Sequence, residues 1–396
     1  MTVNVISAIV SLPFSAWLLT DNCVISSAYK RSLVIGSVLL LLAFYLMSTR
    51  TQIKQFSGKV MGTTYHVSYV ATPLGQPVDA ISKLVHDRLH DIDLRMSTYR
   101  EDSELMKFNR SPVGQPVKLS KDIVEMFEVS RRISELSAGG YDVTVGPLVN
   151  LWGFGPSTND LKNKPDSDSA ADSAESVKGP VFIQWMLNNY PGEIPTKTAI
   201  DAAKAKVGYH YVTADVENST LEKSKPVFID LSSIAKGYGV DQAAKALKNA
   251  GIDNFMVEVG GEIKVSGRKA DGSDWRLAVR GPDLAAGHPV AIVSLDNKGM
   301  ATSGDYLNYF EIKGKRYSHT INPKTGYPEA NRLAEVAVIS DTVEEADGLA
   351  TMFMVLGDKK GLELANREGI AAYFTYHHDG GFKSVASTAF KPYLVE

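Results

Sequence analysis

The rhythm of hydrophobic positions changes several times along the chain, and each change predicts an element. Lys59 to Val70 alternates apolar and polar residues as a half-buried strand does; Val78, Ile81, Leu84, Val85, Leu89 and Ile92 then recur at helical spacing. A second amphipathic helix is predicted over Ser120 to Ser137, with Ile123, Val124, Phe127 and Ile133 on one side and Gly139-Gly140 after its end. Pro226 to Leu231 reads as a buried strand carrying a carboxylate, Asp230, near its end. Ser232 and Ser233 follow as hydroxyls suited to capping a helix whose pattern runs to Gly251. Asn254 to Val259, Glu262 to Ser266, Asp274 to Arg280 and Val290 to Leu295 read as strands with glycine punctuation, Leu333 to Ser340 as a further strand, and Val343 to Leu356 as a helix. Strands and helices mix without strict βαβ alternation, which predicts an α+β fold.

Two stretches stand outside this pattern. Ser32 to Thr49 has no charge, is dominated by Leu, Val and Ile, and is bracketed by Lys30-Arg31 and Arg50. Its 18 residues, at about 1.5 Å each, reach roughly 27 Å, enough to cross the apolar core of a bilayer. An uncleaved membrane anchor is the favoured reading, against a cleaved signal peptide or a buried core helix; the basic pair before it predicts that everything after Arg50 lies outside. Met1 to Thr20 is also uncharged, and reads either as a first helix of a hairpin or as an over-long start. The anchor region is therefore 1–55 and the globular part 56–396. Pro156 to Pro180 is polar and acidic with little to bury, and reads as a disordered surface insertion.

Composition narrows the partners. A net charge of -3 and a pI near 6.3 supply no basic field, which argues against a nucleic-acid partner. The single cysteine, Cys23, excludes an intramolecular disulfide and a cysteine-based zinc cluster.

The chemistry is concentrated in Asp230-Leu-Ser-Ser-Ile-Ala-Lys-Gly-Tyr-Gly-Val-Asp241 and Asp347-Gly-Leu-Ala-Thr351. Backbone N–H groups at a helix start attract phosphate. Asp347 and Thr351, four apart in a helical run, share one side and offer two hard oxygens to a cation, although such a pair is more often a surface or capping pair. Lys236 falls in the first turn of its helix, where a cation is disfavoured unless an anion compensates. Asp142 and Asp230 read equally well as caps or turn stabilisers. Gly260-Gly261 and Ser303-Gly304 read either as hairpin punctuation or as close backbone approaches to a ligand.

Taken in order with Met61-Gly-Thr-Thr-Tyr65, Met96-Ser-Thr-Tyr99, Tyr141-Asp-Val-Thr-Val-Gly-Pro147, Leu151-Trp-Gly-Phe-Gly155, Val259-Gly-Gly-Glu262, Thr302-Ser-Gly-Asp305 and Tyr317-Ser-His-Thr-Ile-Asn-Pro-Lys-Thr-Gly-Tyr-Pro328, these segments resemble the ApbE family, the FAD:protein FMN transferases, from about Phe56 to Leu356. The resemblance implies a mixed α+β, T-fold-like architecture of two intertwined subdomains with the flavin between them. It implies Mg²⁺ held by the Asp347 and Thr351 side chains and the Ser233 carbonyl. It places the Gly140-Tyr141-Asp142 loop and Asp230 against the FAD nucleotide with Lys236 close by, and Met61 and Tyr99 around the flavin ring. An aromatic at the Tyr99 position resembles the transferases, whereas relatives with Asn there behave as FAD pyrophosphatases. A threonine hydroxyl needs a positioned base, and His319 resembles that base, with Ile321 behind it against the flavin. The reaction implied is transfer of FMN from FAD to a threonine of a partner protein with release of AMP; hydrolysis of FAD and simple flavin binding are the alternatives. The partners implied are subunits of sodium-pumping NADH:quinone oxidoreductase or related electron-transfer complexes. The place implied is the outer face of a bacterial cytoplasmic membrane, reached in the family through a lipid; Cys23 follows Thr20-Asp-Asn22 and precedes the basic pair, which is wrong for a lipid-bearing cysteine, so the protein span would replace it.

Overall fold

In the computed structural model of the chain, Gln52–Val60 (β1) and Thr63–Ala71 (β2) pair antiparallel across a tight turn. Met61 and Gly62 both adopt positive φ there, 50° and 70°. That is the backbone of a two-residue hairpin turn matched to the twist of its strands. The single strand expected from Lys59 to Val70 is thus the end of one strand and the whole of the next; methionine at the first turn position hides the break. The structure describes residues 52–72, 75–155, 194–281, 289–305, 309–312 and 315–395, together with Ser32 and residues 34–39. The acidic segment expected at 156–180 lies outside these residues.

Chain contacts separate residues 1–51 and 72–75 from the remainder. In the first unit, residues 34–39 are helical and expose Val34, Ile35, Val38 and Leu39. Among the described residues no helix is long and apolar enough to cross a membrane, and most of the span expected over Ser32 to Thr49 lies outside them.

The second unit is built on an eight-stranded sheet in the order β1, β2, Phe255–Val259 (β6), Glu262–Ser266 (β7), Gly299–Gly304 (β10), Leu333–Ser340 (β13), Ala371–His378 (β14) and Gly381–Ala386 (β15). Every neighbouring pair is antiparallel. Smaller pieces branch from it: Val117–Lys118 (β3) with Val212–Asp215 (β4) and Thr220–Lys223 (β5), the hairpin of Trp275–Val279 (β8) and Ala291–Leu295 (β9), and that of Tyr309–Ile312 (β11) and Lys315–Ser318 (β12).

Helices Val78–Met96 (α1), Glu104–Arg110 (α2), Lys121–Leu136 (α3), Gly146–Leu151 (α4), Lys197–Lys204 (α5), Ala235–Asn249 (α6) and Val343–Glu368 (α7) complete the unit. Period-two alternation on β13 serves two cores at once. Val336 and Val338 join Phe353 of α7 and Leu89 of α1 in the main core, while Ala337 and Ile339 join Trp275, Leu277 and Val293 of the β8–β9 hairpin on the other side. Seven of the eight β13 residues are buried, Glu335 among them, which is why its other buried positions are apolar on both faces instead of alternating. Truncating a ring such as Phe353, wholly buried against Phe374, would cost about 3–5 kcal/mol.

Two expectations near the site are corrected. Pro226 to Leu231 is no ladder strand: it makes one isolated parallel bridge, Phe228 to Val145. Ser232 and Ser233 do not cap α6, which begins at Ala235 without a side-chain cap. The Ser232 N–H and hydroxyl both donate to Asp230 Oδ1, at 2.9 and 2.5 Å, and Ser233 Oγ pairs with the Tyr141 hydroxyl at 2.9 Å. Both hydroxyls are thus engaged before the helix begins. The helix expected to stop at Leu356 does break there: Gly357 has φ of 76° and ψ of 174°, which no helix contains, and a second helical stretch follows to Glu368.

Candidate active site

The first turn of α6 lies against α7, and glycine makes the approach possible. A methyl group on Gly237 would sit 2.4 Å from the Val343 carbonyl oxygen and 2.9 Å from Asp347 Cβ. The Gly237 N–H donates to Asp347 Oδ2 at 3.0 Å, so an orphan amide of the α6 start is satisfied by a carboxylate from the next helix. Asp241, one turn further along, reciprocates: its Oδ2 accepts the N–H groups of Val343 and Glu344 at 2.7 and 3.0 Å, capping α7. The two helices therefore fix one another at their N-terminal turns, and Asp347 projects from α7 where α6 begins.

Lys236 stands between two acids. Its Nζ is 2.9 Å from Glu262 Oε1 and 3.6 Å from Asp347 Oδ1, and both carboxylates are only 2 % exposed. Burial pushes Glu262 up to about 8 against the pull of Lys236, and raises Asp347 against the same ammonium and the Gly237 amide. Burial by itself would lower Lys236, but Asp347 and Glu262 hold it above its ordinary value. Glu262 Oε2 has no hydrogen-bond partner. Glu262 is the functional side chain that reading the sequence passed over. It ends the Val259-Gly-Gly-Glu262 motif, and an acid at the buried start of a strand is the signal the sequence carries for it.

Around this core the expected residues gather in two groups. The first surrounds the α6 start. Tyr141 is buried, which raises its hydroxyl's pKa, and it bonds to Ser233; a methyl on Gly348 would lie 3.5 Å from that hydroxyl. Thr351 Oγ1 lies 3.4 Å from Ser303 Oγ, which brings in the Thr302-Ser-Gly-Asp305 segment on β10. Met61 reaches across from the β1–β2 turn, with its Cε 3.2 Å from where a Gly239 methyl would be. The β6–β7 turn completes this side: Gly260 and Gly261 have φ of 61° and 106°, and Lys236 Cδ lies 3.2 Å from the Gly260 methyl position. That pair is hairpin punctuation, and the close neighbours of Gly260 are the Thr63 and Lys236 side chains.

The second group is the loop after β12. His319 meets Phe154 edge-on at 6.4 Å, Ile321 is buried with Trp152 and Leu148, and Ile321 bridges to Pro328. The two groups approach where Lys324 Cε comes within 3.7 Å of the Gly139 methyl position, beside Gly140, whose own methyl position is 3.1 Å from Leu356.

Three further expected residues are held by contacts of their own. The Asp142 carboxylate accepts from Thr144 N–H, Thr144 Oγ1 and Tyr209 N–H at 2.8, 2.7 and 2.8 Å; burial raises its pKa while these donors oppose the rise. It ties the glycine loop to residue 209. Asp230 is turned onto Ser232. Tyr99 is half-buried on the turn between α1 and α2, its N–H donating to Ser97 Oγ at 3.2 Å.

The donors expected for Mg²⁺, the Asp347 and Thr351 side chains and the Ser233 carbonyl, are all oxygens, the type that ion prefers. Among the described residues no three or more His, Cys, Asp or Glu side chains cluster as metal ligands. Mg²⁺ does not require that, since it uses one or two carboxylates and completes its shell with water and phosphate. Two buried acids served by one ammonium give a cation something to neutralise. A separate cavity of about 460 Å³, lined by Arg132, Ile133, Leu349, Ile370 and Tyr393 among others, contains none of these residues.

Comparison with known proteins adds to this geometry. A family model described as the ApbE family matches residues 61–374. A Haemophilus influenzae protein named FAD:protein FMN transferase is 38 % identical over 372 residues, which is 91 % of this chain and 98 % of that one. Its Vibrio cholerae counterpart is 38 % identical over 339 residues, 85 % of this chain and 92 % of its own. Among solved structures, the flavin transferase ApbE from Vibrio cholerae superposes with a TM-score of 0.72 at 36 % identity, covering 87 % of this chain and 100 % of its own. The apo form of Pseudomonas stutzeri flavinyl transferase ApbE gives 0.73 at 37 %, covering 87 % and 97 %.

Proposed function

This chain belongs to the ApbE family and is an enzyme that moves FMN from FAD onto a protein, and from that premise we propose that a threonine hydroxyl is the acceptor, that Mg²⁺ is required, and that the work is done on the outer face of a bacterial cytoplasmic membrane. The observation that carries this reading is the Lys236 ammonium set between Glu262 and Asp347 at the start of α6. A helix start, an ammonium and a cation site together suit the pyrophosphate of FAD.

In the proposed reaction the threonine Oγ attacks the phosphorus that carries the riboflavin portion of FAD. An O–P bond to threonine forms, the P–O bond of the pyrophosphate bridge to AMP breaks, and the hydroxyl proton passes to a His319 ring nitrogen. Lys236 orients the pyrophosphate, and Met61, Tyr99 and Ile321 line the ring. Asp347, Thr351 and the Ser233 carbonyl would hold Mg²⁺, which when bound offsets the charge that gathers on the departing phosphate. Acceptors of this chemistry are subunits of sodium-pumping NADH:quinone oxidoreductase or related electron-transfer complexes. The membrane assignment is supported by the uncharged run from Ser32 to Thr49 and by the exposed apolar side chains of residues 34–39.

The test is incubation of residues 52–396 with FAD, Mg²⁺ and such a subunit, read by mass spectrometry. An FMN adduct on a threonine is expected. Free FMN and AMP accumulating without acceptor would identify a pyrophosphatase instead, and intact FAD a binding protein.

A further inference from the structure

The loop that carries His319 is a closed piece. Glu329 N–H donates to the Thr320 carbonyl at 2.8 Å, Asn322 N–H to the Tyr327 carbonyl at 2.9 Å, and Gly326 N–H to the Asn322 carbonyl at 2.8 Å. The Asn322 side chain accepts from the N–H groups of Lys324 and Thr325 at 2.8 and 3.2 Å. Residues 320–329 therefore move together, and the contacts at the base of the loop set where it sits.

Trp152 makes those contacts at both ends. It follows α4 and is wholly buried. Its Nε1–H donates to the Gly326 carbonyl at 2.8 Å, its ring stacks on Tyr317 at 5.9 Å and 26°, and it tilts against Tyr327 at 5.8 Å and 59°. Tyr317 lies two residues before His319, and Phe154, two residues after Trp152, meets the His319 ring. A methyl on Gly326, whose φ is 80°, would sit 2.6 Å from Ile200 Cγ2 of α5, so the turn packs against α5 with room only for glycine. A tryptophan is needed for this because phenylalanine would keep the stacking but has no ring N–H to donate.

We propose that Trp152 is the positioning residue for His319, clamping both ends of the loop so that the imidazole stays within reach of the acceptor hydroxyl. This rests on the reading of His319 as the base. Misplacement of a reacting group by about an ångström can cost on the order of 10²-fold. Trp152→Phe is therefore expected to slow transfer roughly 10- to 100-fold while weakening FAD binding much less, through Ile321, which packs on the same ring. The decisive measurement is a cycle with His319→Asn. If Trp152 acts through His319, the double variant is no slower than His319→Asn alone; slowing that multiplies overturns the proposal, as does a Trp152→Phe enzyme at full rate beside a slow His319→Asn. Full rate in His319→Asn would instead overturn the base assignment, and this inference with it. Should Trp152→Phe fail to fold, Tyr317→Leu removes the stack from the other side and is held to the same pattern.

Discussion

At the scale of single residues, the acids around Lys236 give the sharpest expectations. Asp347→Asn keeps an oxygen for the Gly237 amide but removes the charge, so the fold should survive while transfer falls at least ~10²-fold and FAD still binds; kinetics over a range of Mg²⁺ concentrations, with FAD binding in parallel, would check it. Unchanged activity with unchanged Mg²⁺ dependence would refute the ligand assignment. His319→Asn should bind FAD normally and slow transfer by ~10²- to 10⁴-fold, with the wild-type fall in rate at low pH absent from the variant. A third expectation concerns Glu344, whose Oε1 is buried without a partner and whose pKa is pushed up to about 8 by burial and by Asp241 beside it. Its folded value exceeds the unfolded one, so the native state holds a proton that the unfolded chain releases, and stability falls as pH rises from the ordinary glutamate range towards 8. Glu344→Gln should flatten that decline in denaturant titrations between pH 5 and pH 9; an unaltered slope would mean that other groups set it.

At the scale of elements, the mutual capping of α6 and α7 is the device that builds the site. Asp241→Ala leaves two amides of α7 unpaired and should lower stability by about 0.5–2 kcal/mol, with Asp241→Asn recovering most of it; urea melts of the two variants decide. The periodic elements are legible in the sequence. Ser120 to Ser137 brackets α3, and Glu262 to Ser266 and Leu333 to Ser340 coincide with β7 and β13. What was not legible depended on partners distant in sequence. Ser233 reads as a cap but pairs with Tyr141, 92 residues away. Asp142 reads as a turn former and does hold a turn, yet its third donor is Tyr209. Glu262 matters because Lys236 and Asp347 converge on it, and no local pattern announces that.

At the scale of the whole molecule, removing residues 1–51 should leave the transferase unit folded and able to modify a soluble acceptor, while the full chain should sediment with membranes; equal partition of both forms into the soluble fraction would refute the anchor. The sheet has a further consequence. Its order, β1, β2, β6, β7, β10, β13, β14, β15, follows the order of synthesis without a single reversal. A chain emerging N-terminus first thus adds each strand to the last free edge, and the sheet remains open on that side until the final hairpin arrives. Any pause in elongation before β14 leaves β13, apolar but for Glu335 and Ser340, with its far edge unpaired. Loss of the last two strands, by a premature stop or a nick near Ile370, should therefore yield aggregates in place of a weakened enzyme, because an exposed edge of that composition recruits strands from other chains.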